Sequence, residues 1–366
     1  MKHTYFDIII LGAGINGCAI ANTFSQDGKK VLVIDKSTIA SGTSSKSSRL
    51  IHGGLRYLEN FEFSLVKESL KDRNNLVEKY PNLVKMNKFY LPVYKNNKRS
   101  SFIIRVGLKL YDLLSWNKNY TSGIINRKNS DEKFKYLRKD NLKSILYYHD
   151  AVTDDKKLTK VISEEAKSAG AVFLENYAIN TIDKSKEIIN IDNAYTTKLL
   201  VNATGPWINE VIDKYNLNSD YKINKVSGIH IEIDKLLVSS PMILEAENNR
   251  IFFVIPNVKN TIIGTTERAE DCKCDNVDIN DEDVKYLLNY INKYFNININ
   301  RSNIINKWIG IRPLIESKNN LSKISRDYII DIHNYNTLKV VNIFGGKLTT
   351  FNSLSKKVKQ KIKEVA

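Results

Sequence analysis

The stretch that decides the fold is Asp7-Ile-Ile-Ile-Leu-Gly12-Ala-Gly14-Ile-Asn-Gly17, followed 21 residues after Gly14 by the acid of Val31-Leu-Val-Ile-Asp35. An apolar run, a glycine turn, a helix and a second apolar run ending in an acid form the pattern of a dinucleotide-binding unit. Gly12 permits the tight turn, Gly14 lets the backbone approach a pyrophosphate, and Gly17 lets the helix pack on the strand. The pattern predicts phosphates at the helix N-terminus and a ribose hydroxyl on the acid. A glycine-rich turn in another α/β fold is the alternative.

The segment after the second strand is rich in short hydroxyl side chains. Thr43-Ser-Ser-Lys-Ser-Ser48 puts hydroxyl and backbone N–H groups in one turn, and His52-Gly-Gly54 follows. Such a run can wrap a second, longer ligand. The glycine motif alone occurs in both NAD and FAD sites. Because the hydroxyl-rich segment can contact such a longer ligand, it favours FAD.

Six stretches of the chain resemble the FAD-dependent glycerol-3-phosphate dehydrogenases, within the larger group that includes D-amino acid oxidase and glycine oxidase. They are Thr43-Ser-Ser-Lys-Ser-Ser-Arg-Leu-Ile-His-Gly-Gly-Leu-Arg-Tyr-Leu58, Leu200-Val-Asn-Ala-Thr-Gly-Pro-Trp207, Ile263-Gly-Thr-Thr266, Gly310-Ile-Arg-Pro-Leu314, Ser325-Arg-Asp-Tyr328 and Phe344-Gly-Gly-Lys-Leu-Thr-Thr350. They occur in the family's order and, with the glycine motif, span residues 5 to about 351. The resemblance implies an α/β fold, in which a Rossmann-like FAD-binding domain carries an inserted antiparallel-sheet α+β substrate domain of the D-amino acid oxidase type.

Local patterns agree with two joined domains. Helical spacing over 62–79 and 155–169 and buried runs at 171–174 and 199–203 continue the parallel sheet. Ile229-His-Ile-Glu-Ile233 alternates as a half-buried strand should, and residues 250–256 and 261–264 flank a short turn, as in a hairpin. Val340–Phe344 and a closing helix over 349–365 return to the first domain. We expect a discontinuous FAD-binding domain over residues 1–80, 150–222 and 310–366, and a substrate domain over 81–149 and 223–309.

The resemblance also implies the residues that hold FAD. They lie in the glycine turn, the second strand's end, the serine segment, the turn before Trp207 and the turn after Phe344, where a helix N-terminus favours negative charge on the flavin ring. The expected cofactor contacts are Gly12, Ala13, Gly14, Ile15, Asn16, Asp35, Lys36, Thr43, Ser44, Ser45, Ser47, Leu50, His52, Gly53, Gly54, Ala178, Ala203, Thr204, Gly205, Trp207, Gly345, Gly346, Lys347, Leu348 and Thr349.

Catalysis is expected from His230, Arg312 and Lys347. By resemblance, His230 corresponds to a histidine that takes a proton from the substrate hydroxyl, work that suits a neutral imidazole near neutral pH. A core histidine satisfied by the backbone is the alternative. Arg312 is held extended by the following proline and can orient an alkoxide or bind an acid. Each arginine taken alone could instead be a surface ion pair.

Substrate binding is expected from Arg56, Tyr57 and Arg326, together with Lys347. Several cations in one pocket imply an anionic ligand, because buried like charges repel. Arginine forks fit phosphate and carboxylate equally, so the residues themselves do not separate the two. A small phosphorylated substrate is what the resemblance implies.

Composition restricts the remaining possibilities. The 366 residues carry a net charge of +16 and three cysteines, which favours an anionic partner and a reducing, cytoplasmic compartment. Cys272-Lys-Cys274 lacks a second pair of ligands, so we expect no metal site. Nothing resembles a nucleic-acid-binding motif. The glycine motif begins too early to leave room for a signal peptide, and no apolar run reaches the roughly 18 residues of a membrane span.

The function implied by the resemblance is oxidation of sn-glycerol 3-phosphate to dihydroxyacetone phosphate, with hydride transfer to flavin and electrons passed to a quinone. Residues 99–116 are amphipathic with basic and aromatic flanks, and can lie on the inner face of the cytoplasmic membrane. An ordinary packed helix is the alternative.

Three departures from the family keep other functions open. Asp35 stands where relatives usually have glutamate, Thr266 is followed by Glu267-Arg268 where relatives often have aspartate and no arginine, and we expect the usual helical C-terminal domain to be missing. One alternative is an FAD-dependent oxidase or dehydrogenase of another small anion, such as a 2-hydroxy acid or amino acid. The other is a non-catalytic FAD-binding remnant.

Overall fold

The computed structural model describes residues 3–117, 119–125, 134–185, 187–247, 250–316 and 328–364. The helices in these ranges are α1 (Ile15–Gln26), α2 (Phe63–Lys79), α3 (Ser101–Ser115), α4 (Asp155–Ser168), α5 (Ile208–Lys214), α6 (Asp281–Tyr294) and α7 (Phe351–Glu364). The strands are β1 (Thr4–Tyr5), β2 (Ile8–Leu11), β3 (Val31–Ile34), β4 (Leu50–Ile51), β5 (Val84–Tyr94), β6 (Gly123–Ile125), β7 (Leu142–Thr153), β8 (Val172–Leu174), β9 (Ile182–Lys184), β10 (Ile189–Ile191), β11 (Tyr195–Thr197), β12 (Leu199–Asn202), β13 (Ile223–Ile233), β14 (Met242–Glu245), β15 (Ile251–Asn257), β16 (Asn260–Gly264), β17 (Arg268–Glu270), β18 (Ile304–Ile315), β19 (Tyr328–Tyr335) and β20 (Leu338–Gly345).

The first layer is a six-stranded sheet in the order β19-β20-β12-β2-β3-β8. Its strands from β20 to β8 are parallel, and β19 is an antiparallel edge strand. In β2, Ile8 and Ile10 pack in the core with α1, α4 and α7, whereas Ile9 and Leu11 pack against the small sheet β1-β11-β10-β9. Successive side chains of a strand point to opposite faces, so a sheet covered on both sides needs continuous apolar strands.

The second layer is a ten-stranded sheet in the order β17-β13-β16-β15-β14-β5-β7-β4, to which β18 adds by pairing with β13 and β6 by pairing with β7. β15 and β16 form the hairpin that the sequence predicts, closing at the pair Asn257 and Asn260. A mainly antiparallel sheet beside a doubly wound parallel sheet confirms the predicted fold class.

β13 is more buried than its alternating pattern predicts, since Ile229, His230, Ile231 and Glu232 are all buried. Ile229 and Ile231 lie in the apolar cluster of the second layer, against which α6 packs. On the other face, His230 packs on Trp308 and Glu232 accepts hydrogen bonds from Asn257 and Asn260. The expected domain boundaries at residues 150 and 310 fall inside β7 and β18, so the division into two domains stays a proposal.

The amphipathic segment at 99–116 forms α3. The Ser100 side chain caps it by accepting a hydrogen bond from the backbone N–H of Ile103 at 3.3 Å, and the helix ends at Trp116 in the left-handed conformation. Several large apolar side chains on it face solvent, among them Phe102 at 73 % and Trp116 at 89 % exposure. Among the described residues, none of the helices has the length and apolar character to cross a membrane.

Candidate active site

The glycine turn has the geometry that a pyrophosphate needs. Gly12 has φ of +99°, and a Cβ there would lie 2.7 Å from the carbonyl oxygen of Ala203. A Cβ on Gly17 would collide with the Gly12 carbonyl, and one on Gly14 would lie 3.2 Å from Ser44 Oγ. The first turn of α1 contains no acidic residue, so its positive dipole end is not neutralised by a side chain. We call this turn, from Gly12 to Gly17, the glycine cradle; glycine at these positions keeps it open to a phosphate.

Asp35 closes the turn from the second strand. Its Oδ2 accepts a hydrogen bond from the Ala13 N–H at 2.7 Å, and its Oδ1 accepts one from the Ser37 N–H at 2.8 Å. A carboxylate accepts about four hydrogen bonds in all, so capacity remains on both oxygens. The contact of Asp35 with a ribose hydroxyl therefore stays a prediction.

The serine segment is anchored on both layers. The Thr43 hydroxyl donates to the Ile311 carbonyl at 2.8 Å, and the Ser44 hydroxyl accepts from the Ile15 N–H at 2.9 Å. Asp155 Oδ2 accepts from the Ser47 hydroxyl at 2.6 Å and from its N–H at 2.9 Å. Burial raises the pKa of Asp155, and the bonds from Ser47 oppose that rise. The segment therefore joins the first layer to β18.

A cavity of about 600 Å³ opens beside this segment. Its wall combines the serine segment, the turn after β4, strands of the second layer and the turn after β20. Fourteen of the residues predicted from sequence line it, namely Thr43, Ser47, Leu50, His52, Gly54, Arg56, Tyr57, His230, Arg312, Gly345, Gly346, Lys347, Leu348 and Thr349.

The other predicted residues are not part of this wall. Those in the turn before Trp207 lie near the glycine turn, since Ala203 approaches Gly12. Trp207 Nε1 donates to Asp275 at 2.9 Å, and Lys36 pairs with the same carboxylate at 2.5 Å. Ala178 is exposed in the loop after β8, and Arg326 lies outside the described residues. Outside the wall are Gly12, Ala13, Gly14, Ile15, Asn16, Asp35, Lys36, Ser44, Ser45, Gly53, Ala178, Ala203, Thr204, Gly205 and Trp207.

Pairing between β13 and β18 places two of the predicted catalytic side chains, His230 and Arg312, on one face. His230 pairs with Trp308, and Arg312 pairs with Val226 four residues further along. Even spacing along both strands puts these side chains on the same side of the sheet. Gly228 and Gly310, also paired, lie between them. A Cβ on Gly310 would lie 2.5 Å from the Lys46 carbonyl oxygen, so Gly310 lets the serine segment lie against the sheet.

His230 is buried at 2 % exposure. Its Nε2 lies 2.8 Å from Ser48 Oγ, and its ring stacks on Trp308 with 5.2 Å between centroids and an interplanar angle of 10°. Nδ1 has no hydrogen-bond partner among the described residues. Burial, with the charges of Arg312 and Arg49, lowers the pKa of His230 from 6.5 to about 3. The imidazole is therefore neutral near neutral pH, and its hydrogen bond goes to a serine side chain, not to the backbone.

Cations and acids share the cavity wall. Arg312 Nη2 donates to Thr265 Oγ1 at 2.8 Å, and its Nη1 lies 3.8 Å from Glu267, which also pairs with Arg250 at 3.4 Å. The Lys347 ammonium lies 4.2 Å from the ring centroid of Tyr57. Lys46, Arg56, Arg99, Arg250, Arg312 and Lys347 face Glu59, Asp150, Glu245 and Glu267 in the described wall. Six cations against four acids leave a net positive cavity, which suits an anion.

Two neighbours of His230 were missed from the sequence. Ser48, which lines the cavity, belongs to the same run as Ser47. Trp308, which stacks on the imidazole, stands four residues before Arg312, on the same face of β18. The period of two along β18 could have indicated Trp308. Nothing local indicated that Ser48 contacts His230, since the two are 182 positions apart.

Comparison with known proteins identifies the class of enzyme. The sequence profile of the FAD-dependent oxidoreductases matches residues 7–351, and the chain belongs to this family. It is 34% identical to a glycerol-3-phosphate dehydrogenase of Pseudomonas tolaasii, over 96% of this chain and 70% of the relative. It is 30% identical to a D-erythritol 1-phosphate dehydrogenase of Brucella abortus, over 98% of this chain and 74% of the relative.

A solved structure agrees with the fold. The glycerol-3-phosphate dehydrogenase of Bacillus halodurans, which was solved in complex with FAD, superposes with a TM-score of 0.77 at 23% identity. The match covers the whole of this chain and 66% of that one. The chain is thus an FAD-dependent oxidoreductase, and the open glycine cradle beside the serine segment fits the cofactor.

Proposed function

We propose that this enzyme oxidises sn-glycerol 3-phosphate to dihydroxyacetone phosphate. The observation that carries the proposal is the neutral, buried His230 on the same face of one sheet as Arg312, in the wall of a net positive cavity. A neutral imidazole can accept the proton of an alcohol, and the cations offer a site for the phosphate. The functions of relatives at 30–34% identity support a polyol phosphate as substrate.

Separate groups of residues bind the substrate, remove its proton and hold the cofactor. Arg56, Tyr57 and Lys347, with Arg326, hold the anionic end of the substrate and so fix its hydroxyl carbon. His230 removes the hydroxyl proton, assisted by Arg312, whose positive charge favours the developing alkoxide. Gly12, Gly14, Asp35 and the serine segment hold the cofactor. When FAD is bound it supplies the oxidant, to which the hydride of the substrate carbon is transferred.

A second polyol phosphate is a specific alternative. The D-erythritol 1-phosphate dehydrogenase of Brucella abortus matches 98% of this chain, and erythritol 1-phosphate presents the same phosphate with a longer chain of hydroxyls. The acids of the wall, among them Glu267 and Glu245, can accept hydrogen bonds from additional hydroxyls. A 2-hydroxy acid, an amino acid and a non-catalytic FAD-binding role are less well supported.

We further propose a quinone in a membrane as the electron acceptor, with the protein peripheral on the cytoplasmic face. Ile103 and Val106 of α3 are exposed and also line the cavity. Phe102, Leu113 and Trp116 extend this exposed apolar surface along the helix, and Arg105 and Lys109 are interspersed in it. Apolar side chains flanked by cations fit the interface of an anionic bilayer. Rapid peroxide formation under air would favour oxygen instead.

Anaerobic bleaching of the flavin absorbance tests the substrate. We expect sn-glycerol 3-phosphate to bleach the purified holoenzyme faster than D-erythritol 1-phosphate, lactate or a D-amino acid. His230→Ala should keep its FAD but slow bleaching at least about 100-fold, whereas His333→Ala, outside the cavity wall, should match the wild type. Bound flavin that no polyol phosphate bleaches would refute the proposal, and normal bleaching of His230→Ala would refute the role of that residue.

A further inference from the structure

We propose that Ser48 relays the proton, so that the substrate hydroxyl delivers its proton to the Ser48 hydroxyl and this hydroxyl delivers its own to His230. This inference rests on the proposed function, because it assigns a path to the proton that alcohol oxidation releases. It adds a proton-transfer residue that the sequence did not indicate.

Access to the two imidazole nitrogens is restricted. His230 lines the cavity but is only 2 % exposed, and its Nδ1 is shielded from solvent. Its Nε2 lies 2.8 Å from Ser48 Oγ. Ser48 is half-buried and also lines the cavity. A substrate hydroxyl in the cavity can therefore reach the serine hydroxyl, which already takes the hydrogen-bonding position at Nε2.

Packing also holds the imidazole in place. Trp308 stacks on its ring, and a Cβ on Gly264 of the neighbouring strand would collide with His230 Cδ2. Arg49, next to Ser48 in the chain, lies 5.2 Å from the same Trp308 ring. With packing on both the face and the edge of the ring, the imidazole cannot swing into the cavity without displacing the strand beside it. A hydroxyl that can rotate is then needed to carry the proton from the substrate to His230.

The direction of the hydrogen bond between Ser48 and His230 also suits a relay. A neutral imidazole has one ring nitrogen that donates and one that accepts. When Nε2 is the acceptor, the Ser48 O–H points at it and Ser48 Oγ keeps its lone pairs for a donor in the cavity. This is the arrangement that a substrate hydroxyl completes. The lowered pKa of His230 keeps the imidazole neutral before the substrate arrives.

The proposed step balances. The substrate O–H bond breaks and its proton binds to Ser48 Oγ, while the original Ser48 proton binds to His230 Nε2. The hydrogen on the substrate carbon leaves with its electron pair for FAD, and the carbon–oxygen double bond forms. Ser48 ends with one proton, as it began, and His230 carries one additional proton. The phosphate dianion held by Arg56, Tyr57 and Lys347 offsets part of the positive charge that opposes this imidazolium.

The test compares Ser48→Ala and Ser48→Thr in the holoenzyme, with Ser101→Ala as the matched control. Ser101 also makes a side-chain hydrogen bond, at 2.7 Å to Ser144, but lies outside the cavity wall. We expect Ser48→Ala to retain FAD and slow the anaerobic reduction of the flavin by sn-glycerol 3-phosphate at least about tenfold, with loss of any solvent deuterium isotope effect. Ser48→Thr, which keeps the hydroxyl, should restore most of the rate.

A second readout does not depend on turnover. The ¹⁵N NMR shift of the His230 imidazole in the oxidised holoenzyme should move in Ser48→Ala and return in Ser48→Thr. A wild type that no polyol phosphate reduces would refute the proposed function. A wild type that is reduced while Ser48→Ala keeps the same rate, pH profile and isotope effect would overturn the relay alone, as would an unchanged His230 resonance.

Discussion

At the scale of single residues, the surroundings of His230 determine its chemistry. Burial removes water from the imidazole, and Arg312 and Arg49 add positive charge nearby, so its pKa falls to about 3. Both influences disfavour the protonated form. The same histidine on the protein surface would be partly charged near neutral pH, whereas the buried imidazole is neutral, and its lowered pKa also makes it a weaker base.

The lowered pKa of His230 predicts a pH dependence of stability. Between its unfolded value of 6.5 and about 3, the unfolded chain binds a proton that the folded protein does not, so acidification favours unfolding. The free energy of unfolding is not reduced by this residue above the unfolded pKa. As the pH falls from there toward the folded pKa, it decreases by about 1.4 kcal/mol for each pH unit. His230→Gln lacks this decrease, so the stability advantage of the wild type over this variant should shrink on acidification.

Denaturant unfolding of the two proteins at a series of pH values between the two pKa values provides the measurement. Other acidic and basic groups contribute equally to both proteins and cancel in the difference. Parallel curves for wild type and His230→Gln would contradict the lowered pKa.

The sequence indicated some residues of the site and missed others. Arg312 and Lys347 lie in short motifs and His230 lies on the alternating strand 229–233. A resemblance identified all three, and the structure places them in one cavity wall. Ser48 and Trp308 contact His230 through the path of the serine segment and the register of β13 on β18. Register depends on long-range packing, which a local pattern does not specify.

At the scale of elements, the turn between β2 and α1 depends on glycine. Gly12→Ala should destabilise the protein by about 2 kcal/mol or more, because it combines a left-handed backbone with a methyl group 2.7 Å from the Ala203 carbonyl, and each has a cost. The variant should also lose FAD, since relief of the collision moves the phosphate cradle. Thermal unfolding and the ratio of flavin to protein absorbance measure the two effects.

Gly28→Ala separates strain from collision. Gly28 also has a positive φ, of +77°, but a Cβ there meets nothing within 4 Å. Its substitution should cost only about 1 kcal/mol and leave FAD binding intact. Equal losses of stability and flavin in the two variants would show that the close approach to Ala203 is unimportant.

The exposed face of α3 supplies a second prediction at this scale. Phe102, Val106 and Leu113 follow one another at intervals of four and seven residues, which places them on one face of the helix, and all three are exposed. Replacing Phe102 and Leu113 together by serine should reduce co-sedimentation with vesicles of anionic lipid several-fold. Flavin reduction in solution should not change.

Val258→Ser is the control for this experiment. Val258 is 89 % exposed and belongs to the turn between β15 and β16. If apolar exposure anywhere promoted binding to vesicles, this variant would bind less as well. Unchanged sedimentation of the Phe102/Leu113 variant would remove the support for a membrane contact.

The elements that could be predicted are those with a clear period. α1, β2 and β3 are short, strongly apolar or framed by glycine, and α4 has the helical spacing of an amphipathic helix, so their existence follows from local pattern. β5 and β7 mix lysine, asparagine and histidine with apolar residues, and their pairing with each other over most of their length brings together residues about sixty positions apart. Such strands are defined by their partner and not by their own sequence.

At the scale of the whole molecule, the two layers meet at the serine segment and the turn after β4. Thr43 contacts β18 and Ser44 contacts α1, while His52 exchanges hydrogen bonds with Thr349 after β20. We propose that this seam divides the FAD-binding domain from the substrate domain. The cavity lies at the seam, which is where ligand sites commonly form.

A buried ion pair ties four elements together beside the cavity. Arg73 of α2 and Asp150 of β7 lie 2.8 Å apart, and each side chain is only 1% exposed. Asp150 also accepts hydrogen bonds from the Tyr111 hydroxyl of α3 at 2.8 Å and from the Gly53 N–H after β4 at 3.2 Å. Removal of the carboxylate would leave a buried guanidinium without its counter-charge, and a hydroxyl and a backbone N–H without their acceptor.

Asp150→Ala should therefore reduce the free energy of unfolding by about 3–5 kcal/mol, the usual cost of a buried charge that loses its partner. Chemical denaturation at a fixed FAD concentration measures this loss. Glu164→Ala is the control, because Glu164 pairs with Lys167 on the surface at 66% and 36% exposure, and such pairs contribute at most about 1 kcal/mol. If Asp150→Ala were no less stable than Glu164→Ala, the pair would not be the structural link between α2, α3, β7 and the Gly53 turn. If it were much less stable, loss of FAD at low denaturant should precede global unfolding, since Gly53 lies in the turn that the carboxylate holds.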